Sequence, residues 1–205
     1  MNATPFELQL DGIRVAGLRA GNPDGLKVLA LHGWLDNAAS FLPLAEQLPT
    51  LDLVMVDLPG HGYSDHLPLT TPYTTPHAIV QTLAIADALG WDRFVLLGHS
   101  MGAAIASLIA AVAGERVQAL VSIEALGGLT APAGETVQRL RAYVEAMLKL
   151  DAKQLRVFPD LSAPVRARMM VNQLSEASAR LLIERGVKPV HGGWLWRLRC
   201  LQPAA

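Results

Sequence analysis

Short apolar runs that alternate with helix-forming stretches are the feature that most constrains the fold of this chain. The runs occupy residues 27–31, 53–56, 93–97 and 117–123. Between them, the spacing of apolar residues predicts helices over 38–48, 76–89 and 101–113. Apolar strands that alternate with helices predict an α/β fold with a mostly parallel, doubly wound sheet. Right-handed crossovers then bring the carboxyl ends of the strands to one edge, where such sheets bind ligands.

Two further strands are predicted ahead of these runs. Residues 6–10 and 13–18 flank Asp11-Gly12, a dipeptide that is typical of tight hairpin turns. The chain has 205 residues, of which 51% are hydrophobic and 17% are charged. This length and composition predict a compact domain with a buried core and room for a small additional unit.

Charge and cysteine content exclude several classes of protein. A formal net charge of -1, without a dense cluster of Lys and Arg, gives no support for nucleic-acid binding. The single cysteine, Cys200, excludes an intrachain disulfide framework and a cysteine-rich zinc site. His61 and His66 lack the partners of a metal site, so we expect neither a metal nor another cofactor. Without an export signal or a long apolar run, we expect a cytoplasmic protein that does not span a membrane.

The alternation of strands and helices stops after residue 124. Glycine and proline between 127 and 134 predict a flexible exit, and the residues up to about 186 are predicted to be all helical. Ser162 marks the start of one helix, and Ser175 caps another that ends at Gly186. An earlier helix has an apolar face formed by Val137, Leu140, Val144, Met147 and Leu148.

The sequence Gly98-His99-Ser100-Met101-Gly102 lies between a predicted strand and a predicted helix. This is the context of a G-x-S-x-G nucleophile elbow, in which a sharp turn raises the serine hydroxyl above the sheet edge. Glycines two residues before and after the serine remove the side chains that would collide in such a turn. The free N–H groups of the following helix would favour a developing anion. The alternative is that Ser100 only caps this helix, a common role for serine.

His32-Gly33-Trp34 follows an earlier strand and is expected at the same edge. Acyl transfer requires two N–H groups that converge on the oxyanion. We predict that the backbone N–H groups of Trp34 and Met101 form this oxyanion hole. The alternative is a strand-end turn that needs Gly33 for its backbone alone.

Taken together, HGW at 32–34, DLPGHGYSD at 57–65 and GHSMG at 98–102 resemble the alpha/beta-hydrolase superfamily. The similarity is to its serine-hydrolase-like and haloalkane-dehalogenase-like branch, and it implies an alpha/beta-hydrolase fold with a helical cap. On this interpretation residues 1–126 form the core, 127–190 the cap, and 191–205 a truncated cap exit and tail. The resemblance also implies that residues 57–64, including His61, form a structural loop near the site.

The resemblance implies a serine–acid–histidine triad, of which the histidine is hard to find. Glu124, at the tip of the strand after the elbow helix, is the candidate acid, although it could be an ordinary solvated carboxylate. Five of the six histidines precede Ser100, and only His191 follows it. The side chain of His99, next to the serine, is expected to point away from the pocket. The final strands and helix of the family fold are therefore expected to be missing, which predicts low activity and self-association through an exposed sheet edge.

The function predicted from these patterns is esterase-like hydrolysis of a small apolar acyl substrate, with Ser100 as nucleophile. The residues expected around the substrate are Trp34, Leu35, His99 and Leu126. The alternative is a non-catalytic module that binds a small ligand on the same fold. A nucleotide-binding fold is disfavoured because no G-x-G-x-x-G follows the first parallel strand. Dehalogenase chemistry is disfavoured because it uses a carboxylate where this chain has Ser100.

Overall fold

The computed structural model describes residues 3–68, 70–128, 130–148 and 157–198. As predicted, the chain begins with a hairpin of β1 (Thr4–Leu10) and β2 (Ile13–Gly21). The turn between them places Gly12 at a positive φ of 74°, a conformation that favours glycine. The remaining strands of the main sheet are β3 (Lys27–Leu31), β4 (Asp52–Val56), β5 (Phe94–His99) and β6 (Val117–Ile123).

These six strands form one sheet in the order β1-β2-β4-β3-β5-β6. The pairs β3–β4, β3–β5 and β5–β6 are parallel, whereas β1–β2 and β2–β4 are antiparallel. The predicted mostly parallel α/β sheet is therefore confirmed. Its parallel half carries the strands that lead into the three sequence motifs.

Alternating side chains of the central strands fill two hydrophobic cores, one on each face of the sheet. In β3, Leu29 and Leu31 belong to one core, and Val28 and Ala30 belong to the other. The helices α2 (Thr75–Ala88) and α3 (Met101–Val112) contribute to the first core. Burial on both faces explains why these strands are apolar throughout.

The helix predicted over 38–48 is shorter than expected. Residues Ala38–Phe41 form a 3-10 turn, and α1 covers only Leu42–Ala45. The backbone then continues in tight turns, because the N–H groups of Gln47 and Leu48 bond to the carbonyls three residues earlier. Pro49 cannot donate the next bond of a helix, so the pattern stops there.

The part after β6 forms a unit that we call the helical segment, residues 133–148 and 157–196. Its helices are α4 (Thr136–Leu148), α5 (Ser162–Asn172) and α6 (Glu176–Gly186). As predicted, the hydroxyl of Ser175 caps α6 by accepting a hydrogen bond from the Ser178 N–H at 3.1 Å. A separate small core joins α5 and α6, with Val165, Ala179 and Ile183 buried.

The helical segment as described also contains three short strands that were not predicted, of which only the first lies inside the stretch up to about 186 that was predicted to be all helical. β7 (Val157–Phe158), β8 (Val187–Val190) and β9 (Gly193–Trp196) form an antiparallel sheet in the order β7-β9-β8. Two- and four-residue strands are too short to give a clear alternation in the sequence. None of the helices in the described ranges is long and apolar enough to cross a membrane. Cys200 lies outside the described residues.

Candidate active site

Three loops that carry candidate site residues, two of them with the HGW and GHSMG motifs, meet at the carboxyl edge of the parallel strands. Leu31 at the end of β3 is in register with Gly98, and His99 at the end of β5 is in register with Ile123. The loop after β3 therefore starts on one side of the elbow, and Glu124, which follows β6, lies on the other side of the elbow. The expected meeting of these motifs at one edge is observed.

Ser100 occupies a strained position between β5 and α3. Its φ of 51° and ψ of -115° lie outside the regions that side-chain-bearing residues usually adopt. Its N–H donates to the Ile123 carbonyl at 2.9 Å, and its carbonyl accepts from the Ala104 N–H at 3.0 Å. The side chain makes no capping hydrogen bond to the helix that follows. The backbone is thus fixed at both sides while the hydroxyl takes no capping role.

The two glycines of the elbow are required by close packing. A Cβ on Gly98 would overlap the backbone of Ala103 in α3. A Cβ on Gly102 would overlap the carbonyl groups of Leu31 and His32. Any larger residue would push α3 away from β3, and this accounts for the glycine on each side of Ser100.

The loop of residues 32–38, which we call the HGW loop, contains a tight turn. The Asp36 N–H donates to the Gly33 carbonyl at 3.1 Å, and Leu35 has a positive φ of 62°. A Cβ on Gly33 would lie 2.9 Å from Nδ1 of His99, so the loop passes directly over the elbow. Trp34 and Leu35 of this loop are 39% and 38% exposed.

The imidazole of His99 lies between two carboxylates at this edge. Its Nε2 is 2.9 Å from Oε2 of Glu124, and its Nδ1 is 3.7 Å from Oδ2 of Asp36. His99 therefore points toward the candidate acid and the HGW loop. Within the described residues, no histidine is hydrogen bonded to the Ser100 hydroxyl. Glu124 has a positive φ of 68° and a side chain that is 69% exposed.

Asp36 is also in contact with the helical segment. Its Oδ1 contacts Nη2 of Arg168 in α5, and its side chain is only 10% exposed. Burial lowers the pKa of the Arg168 guanidinium from its usual value. The contact of a buried carboxylate with this arginine links α5 to the HGW loop.

A second buried ion pair joins α6 to the end of β4. Asp57 is fully buried, and its Oδ2 lies 2.8 Å from Nη2 of Arg185. The same carboxylate accepts hydrogen bonds from the Ala38 and Tyr63 N–H groups, each at 2.8 Å. The Arg185 guanidinium also packs on the Tyr63 ring, 4.6 Å from its centre. Asp57 thus connects the HGW loop, the loop that contains Tyr63, and α6.

His32 and His61 form a buried, edge-to-face ring pair, with 4.9 Å between centroids. His32 Nε2 accepts a hydrogen bond from the Leu58 N–H, and its Nδ1 faces the Gly33 carbonyl at 2.7 Å. Burial lowers the pKa of His32 well below its usual value, and it lowers that of His61 as well. Both rings hold loop backbone, a role that agrees with the structural reading of His61.

Leu126, one of the residues expected around the substrate, is open to solvent, as is the described part of the apolar face of α4. Leu126 is 80% exposed, and the apolar face of α4 is exposed at Val137, Leu140 and Leu148. The side chain of Met147 lies outside what the structure describes. Across the described ranges, no three His, Cys, Asp or Glu side chains come together as they would around a metal ion.

These features agree with what comparison with known proteins shows. A model of the alpha/beta hydrolase fold matches residues 28–197. The chain belongs to the alpha/beta-hydrolase family. A serine hydrolase-like protein of Danio rerio is 31% identical over 199 residues, which are 95% of this chain and 61% of that protein. This alpha/beta-hydrolase chain thus corresponds to less than two thirds of the length of that relative.

Solved structures are similar to this chain over almost its whole length. A hypothetical protein from Pseudomonas aeruginosa PAO1 is 40% identical with a TM-score of 0.92, over 97% of this chain and 72% of that one. The thioesterase domain from the curacin biosynthetic pathway is 29% identical with a TM-score of 0.83, over 97% of this chain and 70% of that one. Together with the sheet order, these similarities agree with the alpha/beta-hydrolase fold of this chain.

Sequence reasoning did not single out the charged residues that join this alpha/beta-hydrolase core to its helical segment. Asp36, Arg168 and Arg185 each carry a charge that the sequence alone would assign to a solvated surface. A pairing between residues that are 128 positions apart, as in Asp57 and Arg185, leaves no local pattern. The one available signal was Asp57 itself, an acidic residue that directly follows a buried strand.

Proposed function

We propose that the chain acts through Ser100 as an esterase-like serine hydrolase on small apolar acyl substrates. The observation that carries this proposal is the backbone of Ser100, strained between β5 and α3, with a hydroxyl that does not cap the helix. Strain of this kind persists where the surrounding structure enforces it and is concentrated at functional sites. Family membership supports a hydrolytic reaction.

In the proposed reaction, Ser100 Oγ attacks the ester carbonyl carbon and its proton passes to a base. The Trp34 and Met101 N–H groups stabilise the oxyanion. The tetrahedral intermediate collapses, the alcohol leaves with a proton, and water then releases the acid and regenerates Ser100. Glu124 is the proposed acid that orients the base. Trp34, Leu35, His99 and Leu126 are the proposed residues around the acyl group, and the helical segment is the proposed cap.

No general base is hydrogen bonded to the Ser100 hydroxyl in the described residues. His99 is engaged by Glu124 and Asp36 and is not bonded to Ser100. Without a base, the oxyanion hole and binding still supply about 10³–10⁴-fold over water. We therefore expect slow acylation of Ser100 that free imidazole accelerates, because Glu124 is exposed enough to accept an imidazole beside the serine.

A fluorophosphonate probe tests this function. The chain should be labelled slowly at Ser100, labelling should rise with added imidazole, and Ser100→Ala should abolish it. Ser107→Ala is the matched control, since Ser107 lies in α3 and donates to the Ala103 carbonyl at 2.7 Å. Equal labelling of the wild type and Ser100→Ala would contradict the proposed nucleophile.

A non-catalytic binding module is the second candidate, favoured by the engagement of Glu124 with His99. In that case a short-chain methyl ketone, which cannot be hydrolysed, should raise the melting temperature of the wild type and Ser100→Ala equally. No imidazole-dependent turnover of a 4-nitrophenyl ester should then be seen. Turnover that depends on Ser100 would exclude this candidate.

A further inference from the structure

The HGW loop carries the proposed oxyanion donor Trp34, and its backbone is strained next to that donor. Leu35 has a positive φ of 62°, an uncommon conformation for a residue with a branched side chain. Such a conformation is kept only when neighbouring contacts hold it. The position of the Trp34 N–H therefore depends on what holds residues 35–38.

Contacts from the helical segment hold this loop at successive positions. Asp36 contacts Arg168 of α5, and the Asn37 side-chain amide donates to the Leu182 carbonyl of α6 at 2.8 Å. The Ala38 N–H donates to Asp57, whose carboxylate also pairs with Arg185 of α6. Leu35 thus lies between the Trp34 amide and residues 36–38, which are held by α5 and α6 of the helical segment.

The Asp36 carboxylate connects this contact with the elbow. One oxygen faces Arg168, while the other is 3.7 Å from Nδ1 of His99, the residue before Ser100. The carboxylate and the guanidinium are both largely buried, with side-chain exposures of 10% and 18%. Removal of the cation would leave a buried, unbalanced carboxylate beside the elbow, and the loop would have to move to solvate it.

We propose that Arg168 and Asp36 are positioning residues, through which the helical segment holds the Trp34 amide against the elbow. This inference rests on the proposed function, since it assigns a cause to the geometry of the same oxyanion hole. It makes the helical segment part of the catalytic geometry as well as a cover for the pocket. A displaced donor slows chemistry much more than it weakens binding, because the oxyanion exists only in the transition state.

The first test measures the loop itself by hydrogen exchange. Arg168→Ala should speed amide exchange in residues 33–38 by about tenfold, and Arg168→Lys should give an intermediate value. Arg180→Ala is the matched control: this arginine of α6 is 47% exposed and pairs with Glu176 on the surface. Its exchange in residues 33–38 should equal that of the wild type. Unchanged exchange in Arg168→Ala would overturn the proposal.

The second test separates positioning from binding. With the fluorophosphonate probe and imidazole, Arg168→Ala should lower the maximal labelling rate of Ser100 about tenfold. The probe concentration at half-maximal rate should change less than about twofold. A loss seen only in that concentration, or an equal loss in Arg180→Ala, would overturn the proposal. If Arg168→Ala does not fold, Asp36→Asn breaks the same contact and is judged by both measurements.

The two proposals can fail separately. If Ser100→Ala is labelled like the wild type, the proposed function fails, whereas hydrogen exchange still reports whether Arg168 holds the loop. If Ser100 is the labelled residue and Arg168→Ala changes neither exchange nor maximal rate, only the positioning role fails.

Discussion

Asp57 shows how one buried side chain can organise several loops. Its carboxylate is fully buried and accepts from Ala38, Tyr63 and Arg185. The guanidinium groups of Arg185 and Arg197 both pack on the ring of Tyr63, 4.6 and 4.5 Å from its centre. At this point the alpha/beta-hydrolase core and the helical segment share an ion pair that is shielded from water. Removing one member would leave the other charged and buried.

We predict that Arg185→Met lowers the free energy of unfolding by about 3 kcal/mol, because the buried Asp57 carboxylate would lose its cation partner. Arg180→Met, which breaks an exposed pair on the same helix, should cost less than about 1 kcal/mol. Urea denaturation at neutral pH measures both values. In Asp57→Asn/Arg185→Met the loss should be smaller than the sum of the two single losses. Additive losses would show that the two residues act independently.

At the scale of elements, β6 differs from the other parallel strands. It is an edge strand of the main sheet in the described residues, and its side chains Val121 and Ile123 are 48% and 40% exposed. The strand contains no charged residue and no proline, which are the usual means of blocking an open edge. The absence of any like-charge repulsion allows β6 of a second copy of this chain to pair with it.

We therefore predict that the chain associates with itself through β6 as its concentration rises. Val121→Lys should shift the molecule toward the monomer in sedimentation velocity, because each copy would place a charge on the paired edge. Val112→Lys is the control, since Val112 is an exposed apolar residue of α3 outside the strand, 67% exposed. A sedimentation coefficient that does not depend on concentration would contradict the prediction, as would an equal effect of both substitutions.

Much of this element order could be predicted from the sequence. The strand β6 and the helices α2 and α3 lie within about two residues of the predicted bounds, because long apolar patterns are reliable signals. The strands β7–β9 were missed because each is four residues or shorter. At the candidate site, the sequence led to Ser100 and Glu124 but not to Asp36, whose burial depends on a helix far along the chain.

At the scale of the whole molecule, the buried pair of His32 and His61 couples stability to pH. The pKa of each is lowered by burial, and their mutual proximity and Arg185 lower that of His32 further. Nearby Asp57 partly opposes the shift at His61, and His66 adds to it. Well above pH ~6.5 both histidines are neutral in the folded and the unfolded chain. Below that pH the unfolded chain binds protons that the folded chain excludes, so stability falls.

The free energy of unfolding should therefore decrease as the pH is lowered from 7 to about 5.5, by at most about 1.4 kcal/mol per pH unit for each histidine. Urea denaturation at several pH values measures this slope. His61→Gln should reduce the slope, because only one buried imidazole remains. His191→Gln, at an exposed turn position, should leave the slope unchanged. A flat profile in the wild type would contradict the prediction.

The backbone conformations of Leu35, Ser100 and Glu124 have a further consequence for attempts to raise the thermal stability of the protein. Each has a positive φ, and each lies in a different loop of the carboxyl edge. Glycine at these positions would relieve the backbone, yet it would also free the loops that the proposed chemistry needs to be rigid. Substitutions that raise the melting temperature of this alpha/beta-hydrolase chain should therefore be sought away from these three positions.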